Sequence, residues 1–210
     1  MMIQDSPAFG GQAYWANAAG ICQPLVGQLT PLANSPLRLY RFLTHVEDIL
    51  LTVQEDEQRL QLLCPLVQRL LADSPWLAWP DLVPDPVLGW GVQTLYDEPF
   101  YPLTVQRVAW SPGAKSPIHN HGAWGIVAML DGQEQNTFWQ DSPAAAIPPQ
   151  LEPGVTLTLS PGDILGLMPE TIHHVEALSP HPTLSFNIYG ETNYDQRWEF
   201  DPLNGTASLF

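Results

Sequence analysis

The sequence predicts a mainly β fold, a closed barrel or two-sheet jelly roll with α-helices ahead of it. Beyond Gly89 the chain breaks into short runs rich in Val, Thr, Leu, Ile and aromatic residues, separated by Gly and Pro turns. About eight such runs follow one another over about 100 residues, which is the rhythm of a barrel or a jelly roll. Between residues 37 and 73 the apolar positions recur instead at helical spacing.

Taken in order, residues 1 to 36 are rich in Gly, Pro, Ala and Asn and read as a loosely ordered lead, with at most one short helix around Tyr14 to Ile21. From Leu37 the positions Leu39, Phe42, Leu43, Val46, Ile49, Leu50 and Val53 share one helical face. A second helix follows through Leu60, Leu63, Leu66, Val67, Leu70 and Leu71. Four prolines within SPWLAWPDLVPDP, residues 74 to 86, end the helical part. VQTLYD, LTVQRVAW, WGIVAML, QNTFWQ, VTLTL, DILGLM, HHVEAL and TLSFNIYG are the strands, and PAAAIPPQLEPG, 143 to 154, is a connecting loop. Residues 37 to 210 are thus expected to form a single domain, helical over 37 to 73 and a β-barrel over 89 to 210.

Composition limits what such a domain can do. At 210 residues and 45% hydrophobic the chain can bury a proper core. Its formal charge of −15, from 22 acidic against 7 basic residues, repels phosphate backbones and anionic membrane surfaces, so neither nucleic acid nor a membrane is an expected partner. The two cysteines, Cys22 and Cys64, form no zinc or disulfide pattern and suit a reducing compartment. The opening MMIQDSPAFGG has no basic segment followed by an apolar one, and no apolar run is long enough to span a bilayer. A cytoplasmic location is therefore expected, and self-association into a homo-oligomer is left open.

The chemistry concentrates in SPIHNHGAWG, residues 116 to 125. Only six histidines occur in the chain, and two of them, His119 and His121, stand one residue apart at the head of the WGIVAML run. Residues two apart on a strand point the same way, roughly 6.6 Å apart at Cα, so the pair can grip one metal ion. The alternative is a pair of histidines in a loop or a hydrogen-bonded core. Gly113, Gly125 and Gly132 hold the pair between tight turns.

GAKSPIHNHGAWGIVAMLDG resembles the first motif of the cupin superfamily, in which a glycine, the HxH pair, often a glutamate, and a final glycine come at this spacing. Gly125 stands at the glutamate position. A missing carboxylate marks the thiol dioxygenase branch, which includes cysteine dioxygenase and mercaptopropionate dioxygenase and holds iron by three histidines. PIHNHGAWG is similar to the PxHDHxxWG form of its bacterial members, with Asn120 in place of the usual Asp. The resemblance spans roughly residues 37 to 198 and implies a cupin-type double-stranded β-helix with N-terminal helices.

The third ligand is expected from PETIHHVEAL, residues 169 to 178. If His173 faces inward, it shares its face with Val175 and Ala177, while His174 shares the outer face with Glu176. The family's ligand, any residue, then valine also fits His173, His174, Val175. Counting from Pro169 in the general cupin pattern favours His174, so both stay open, with His173 preferred.

In TLSFNIYG, Ser185, Asn187 and Tyr189 alternate on one face. The family reads S-x-H-x-Y here, a hydrogen-bonded trio whose tyrosine reaches toward the iron. Asn187 replaces the histidine, and its amide still supplies a donor and an acceptor. The alternative for Tyr189 is an ordinary barrel tyrosine with a bonded hydroxyl. After residue 90 the cations are Arg107, Lys115 and Arg197. Arg197 lies near where the resemblance implies a carboxylate-binding arginine, and Gln93 falls where the bacterial enzymes carry glutamine; a surface role is the alternative for each. Trp124 and Trp110 are expected at the pocket mouth, or else as buried aromatics. Together the resemblance implies Fe(II) on His119, His121 and His173, with Zn, Mn or Ni also compatible. It implies Tyr189, Ser185 and Asn187 as catalytic residues, and Arg197, Gln93 and Trp124 as contacts of a small thiol that O₂ oxidises to a sulfinate. Another metal-dependent cupin enzyme, or a binding cupin without turnover, are the alternatives.

Overall fold

The computed structural model describes residues 12–25, 36–141 and 151–210. In chain order the elements are β1 (Ala13–Ala16), β2 (Cys22–Pro24), α1 (Leu39–Thr52), α2 (Asp56–Asp73), β3 (Trp90–Asp97), β4 (Leu103–Trp110), β5 (Ile118–His119), β6 (Gly125–Asp131) and β7 (Glu134–Asp141). They continue with β8 (Leu151–Leu159), β9 (Ile164–Leu167), β10 (Ile172–Ala177), β11 (Thr183–Gly190), β12 (Trp198–Asp201) and β13 (Thr206–Leu209). Short 3₁₀ turns occupy Pro75–Ala78 and Tyr194–Gln196. One sheet has the order β2-β1-β9-β6-β11-β4-β3, the other β13-β12-β5-β10-β7-β8. From β5 onward the chain passes repeatedly from one sheet to the other, which makes this a two-sheet jelly-roll barrel with helices at its N-terminal side, as expected.

The seven-stranded sheet is covered on both faces. Its outer face carries Val105, Ile126, Ala128, Leu184, Phe186 and Ile188 into one core with Phe42 and Val46 of α1 and Leu60, Leu63, Val67 and Leu70 of α2. Phe42 meets Phe186 edge to face at 6.2 Å. The apolar stripes read from the helical spacing are the faces that pack here. Between the sheets lies a second, smaller core of Ala16, Val127, Met129, Phe138, Leu159, Leu165 and Leu167. The strict alternation of β11 follows: Leu184, Phe186 and Ile188 face the helices, so Ser185, Asn187 and Tyr189 face the barrel interior.

Three expectations are corrected. The helix around Tyr14 to Ile21 is absent; Ala13–Ala16 is a strand, parallel to β9 and antiparallel to β2. The pairing edge of β9 recruits it, a tertiary cause that local composition does not carry. Residues 1 to 11 and 26 to 35 of the lead, and 143 to 150 of the expected loop, lie outside the described residues, while 151 to 154 already belong to β8. His119 and His121 do not open a strand continuous with WGIVAML: β5 ends at His119, and the chain turns to the other sheet at Gly122, whose φ is +60°. A Cβ at Gly122 would lie 2.6 Å from the carbonyl of Asn193, so this corner needs glycine. No helix among the described residues is long and apolar enough to cross a membrane.

Candidate metal centre

Register brings the histidines together. His173 on β10 stands directly opposite His119 on β5, and the corner after β5 swings His121 over the same spot. One ring nitrogen from each of His119, His121 and His173 lies within 4.8 Å of the others. The ring centroids are 4.8 Å apart for His119 and His121, 4.9 Å for His119 and His173, and 5.2 Å for His121 and His173. His174 points out of the barrel and accepts a hydrogen bond from the Trp139 indole at 2.9 Å. The alternation of apolar inner and polar outer positions along β10 is thus what the structure displays.

These residues fit a divalent ion. His119 Nδ1 lies 2.9 Å from the Pro117 carbonyl, which can only accept, so this nitrogen carries the proton and Nε2 presents its lone pair. His173 Nδ1 bonds Asn136 Oδ1 at 2.9 Å, which turns its Nε2 toward His121. The two Nε2 atoms of His121 and His173 are 3.0 Å apart. Two donors about 2.1 Å from one ion stand about 3 Å apart when they meet it near a right angle. Burial holds His119 below the ordinary histidine range, and burial together with the neighbouring rings holds His121 and His173 well below it. Neutral imidazoles are the form that ligates a metal.

No acidic side chain joins this group among the described residues, and at position 125 the Tyr189 ring occupies the space one would need. The Tyr189 ring stacks on His121 at 4.8 Å and 29°. A Cβ at Gly125 would lie 2.8 Å from Cδ1 and Cε1 of that ring. A glutamate at 125 and Tyr189 in its present place therefore exclude one another. Asn187 Nδ2 donates to Ser185 Oγ at 3.3 Å, leaving Asn187 Oδ1 buried without a partner. Among the described residues nothing bonds the Tyr189 hydroxyl, so Ser185 and Asn187 are linked while Tyr189 is positioned by stacking.

The histidines open into a cavity of about 490 Å³, which Ser185, Asn187, Tyr189 and Arg197 also line. Arg197 is the cation on its wall among the described residues; its guanidinium lies 4.4 Å above the Phe210 ring, and its Nε is buried without a partner. Two residues expected as substrate contacts lie elsewhere. Gln93 sits on the far face of β3 and accepts a hydrogen bond from Arg107 at 2.7 Å, because Trp90 and Val92 take the inner face. Trp124 belongs to the core beneath the helices, its ring so close to Gly190 that a Cβ there would clash. Of the other cations, Arg107 pairs with Asp81 and Lys115 with Glu176.

Several residues of the site were not foreseen from the sequence. Asn136 orients His173. Asn120 clamps the tail to the HxH corner, accepting from the Trp198 amide at 2.7 Å and donating to the Gln196 carbonyl at 2.9 Å. An aspartate there would lose the second bond. Phe210 packs 5.6 Å from His119. Glu134, at the far end of the cavity, is buried and bonded by Thr183, and burial pushes its carboxyl up to about 7. The parity of Glu134 and Asn136 with an inward histidine across the β7–β10 pair was the available signal.

No family model matches the chain. Among solved structures, a cupin superfamily protein from Desulfitobacterium hafniense is 13% identical, over 49% of this chain and 77% of its own, with a TM-score of 0.38. A Cupin 2 conserved barrel domain protein from Salinispora arenicola is 18% identical over 53% and 82%, with a TM-score of 0.39. KdgF from Halomonas sp. is 22% identical over 53% and 86%, with a TM-score of 0.40. The jelly-roll assignment stands on this chain's own strand order.

Proposed function

We propose that this protein is a cupin-type, metal-dependent thiol dioxygenase that converts a small carboxylated thiol and O₂ into the sulfinate. The observation that carries the reading is a cage of three neutral imidazoles with a tyrosine, and among the described residues no carboxylate, on the fourth side. Such a donor set leaves the full charge of a divalent ion to attract a thiolate, which a carboxylate ligand would partly cancel. Bound Fe(II) would supply Lewis acidity and redox chemistry toward O₂. The balance needs no further reductant, since both oxygen atoms end on sulfur.

The chain's own residues then have distinct tasks. His119, His121 and His173 hold the ion, with Pro117 and Asn136 fixing two of the rings. Arg197 receives the carboxylate of the thiol, its planar guanidinium braced by Phe210. Tyr189 closes the side of the cage above His121, and its hydroxyl can donate to a bound ligand. Ser185 and Asn187 present a polar strip below it.

The test is oxygen uptake by protein loaded anaerobically with Fe(II) to about one ion per chain, offered mercaptopropionate, cysteine and cysteamine in turn, with sulfinate identified by mass spectrometry. Uptake and sulfinate with a carboxylated thiol are the expected result. Full iron occupancy without uptake for any thiol overturns the reading. One observation favours a second reading, a binding cupin without turnover: Asn187 does not reach Tyr189 to form a relay.

A further inference from the structure

The cavity extends well past the histidines. On β4 its inner face carries Thr104, Gln106, Val108 and Trp110, standing opposite Tyr189, Asn187, Ser185 and Thr183 of β11. Tyr189 marks the metal end, and Trp110 lies six residues further along β4 than Thr104, about 20 Å at strand rise. There Trp110 faces Trp90 of the edge strand β3, ring centroids 6.3 Å apart, and Val92 stands opposite Val108. Trp90 and Val92 are apolar yet 40% and 39% exposed, and both line the cavity. A volume of about 490 Å³ lies in the range of pockets for drug-sized molecules, about 300–1,000 Å³, and is far more than a cysteine-sized ligand fills. The polar atoms along this path are unevenly satisfied. Arg197 Nε at the metal end is buried without a partner, and so is the acceptor Asn187 Oδ1, one step further in.

Resting on the thiol reading above, we infer that the ligand is an N-acylated cysteine, with its carboxylate on Arg197, its thiolate at the histidines and its amide N–H donated to Asn187 Oδ1. The acyl chain then runs between Val92, Val108 and Val175 to the Trp90–Trp110 pair. The amide places a donor where a buried acceptor lacks one, and the chain covers exposed apolar wall that a free amino acid leaves wet. Glu134 at the far end has one oxygen taken by Thr183.

Calorimetric titration of the Fe(II)-loaded protein without O₂ tests this, using cysteine, N-acetylcysteine, N-hexanoylcysteine and N-octanoylcysteine, with the matching N-acylserines as a parallel series. Affinity is expected to rise with acyl length, at least about tenfold from acetyl to octanoyl. In Trp90→Ala, a half-exposed position whose truncation leaves the cores intact, the octanoyl-to-acetyl ratio falls toward one. A flat or declining series overturns the inference even if cysteine is oxygenated. A rising series in both cysteines and serines, with no sulfinate formed from any thiol, upholds the acyl channel and instead sinks sulfur oxygenation.

Discussion

Glu134 is the buried acid whose pH behaviour can be worked from the structure. Its carboxyl is enclosed at the far end of the cavity and accepts from the Thr183 hydroxyl. Burial raises it from 4.5 to about 7, against the lowering effect of that hydroxyl. Between these values the folded chain keeps a proton that the unfolded chain releases, so its contribution is full below about pH 4.5 and is lost as pH rises through 7. Above that the folded state carries a penalty of about 3 kcal/mol. Glu134→Gln keeps an acceptor for Thr183 and has no charge to bury. Urea unfolding of metal-free wild type and variant at pH 5 and pH 8 isolates the effect. The buried histidines act in the opposite sense, their contribution being lost as pH falls below 6.5, but they are common to both proteins and cancel in the difference. The variant is expected to be near wild type at pH 5 and more stable by about 2–3 kcal/mol at pH 8. An equal difference at both pH values would refute the assignment of Glu134 as a buried acid that must ionise against its surroundings.

Two further outcomes bear on the cage itself. His173→Ala should abolish stoichiometric binding of Fe(II) or Zn(II) measured by metal analysis after dialysis, while His174→Ala, whose ring faces Trp139, should bind one ion per chain as wild type does; equal loss in both would place the third ligand wrongly. Gly125→Ala drives a methyl into the Tyr189 ring and should cost about 1–3 kcal/mol in denaturant unfolding, so wild-type stability would mean that the ring is not held there.

What was legible in the sequence was whatever a single strand or helix decides by itself. The face of β11 that carries Ser185, Asn187 and Tyr189 follows from period two, because Leu184, Phe186 and Ile188 must cover the helices. The inward turn of His173 follows similarly, with Ala177 buried behind it. What depended on a neighbour was hidden. β1 is a strand because β9 offers it an edge, and AYWA alone carries no such mark. Parity along β3 does not place Gln93, because this is an edge strand with a bulge between Thr94 and Tyr96 whose inner residues Trp90 and Val92 stay half-exposed. Trp124 faces the helices because the corner at Gly122 resets the alternation begun at His119.

The same dependence on neighbours explains the departure at Gly125. Read along the chain, a glycine where a ligand carboxylate would stand is a loss. In space it is the clearance for the Tyr189 ring, which arrives from β11, sixty-odd residues later, and stacks on His121. The substitution of charge by an aromatic face has a consequence for the whole site. With three neutral rings and Arg197 beside them, the cage becomes net positive once an ion is bound, inside a chain of formal charge −15. The outer field repels an anionic ligand but is screened within about 8 Å at physiological salt. Attraction of an anionic ligand is therefore exerted only within the barrel, where low dielectric magnifies it.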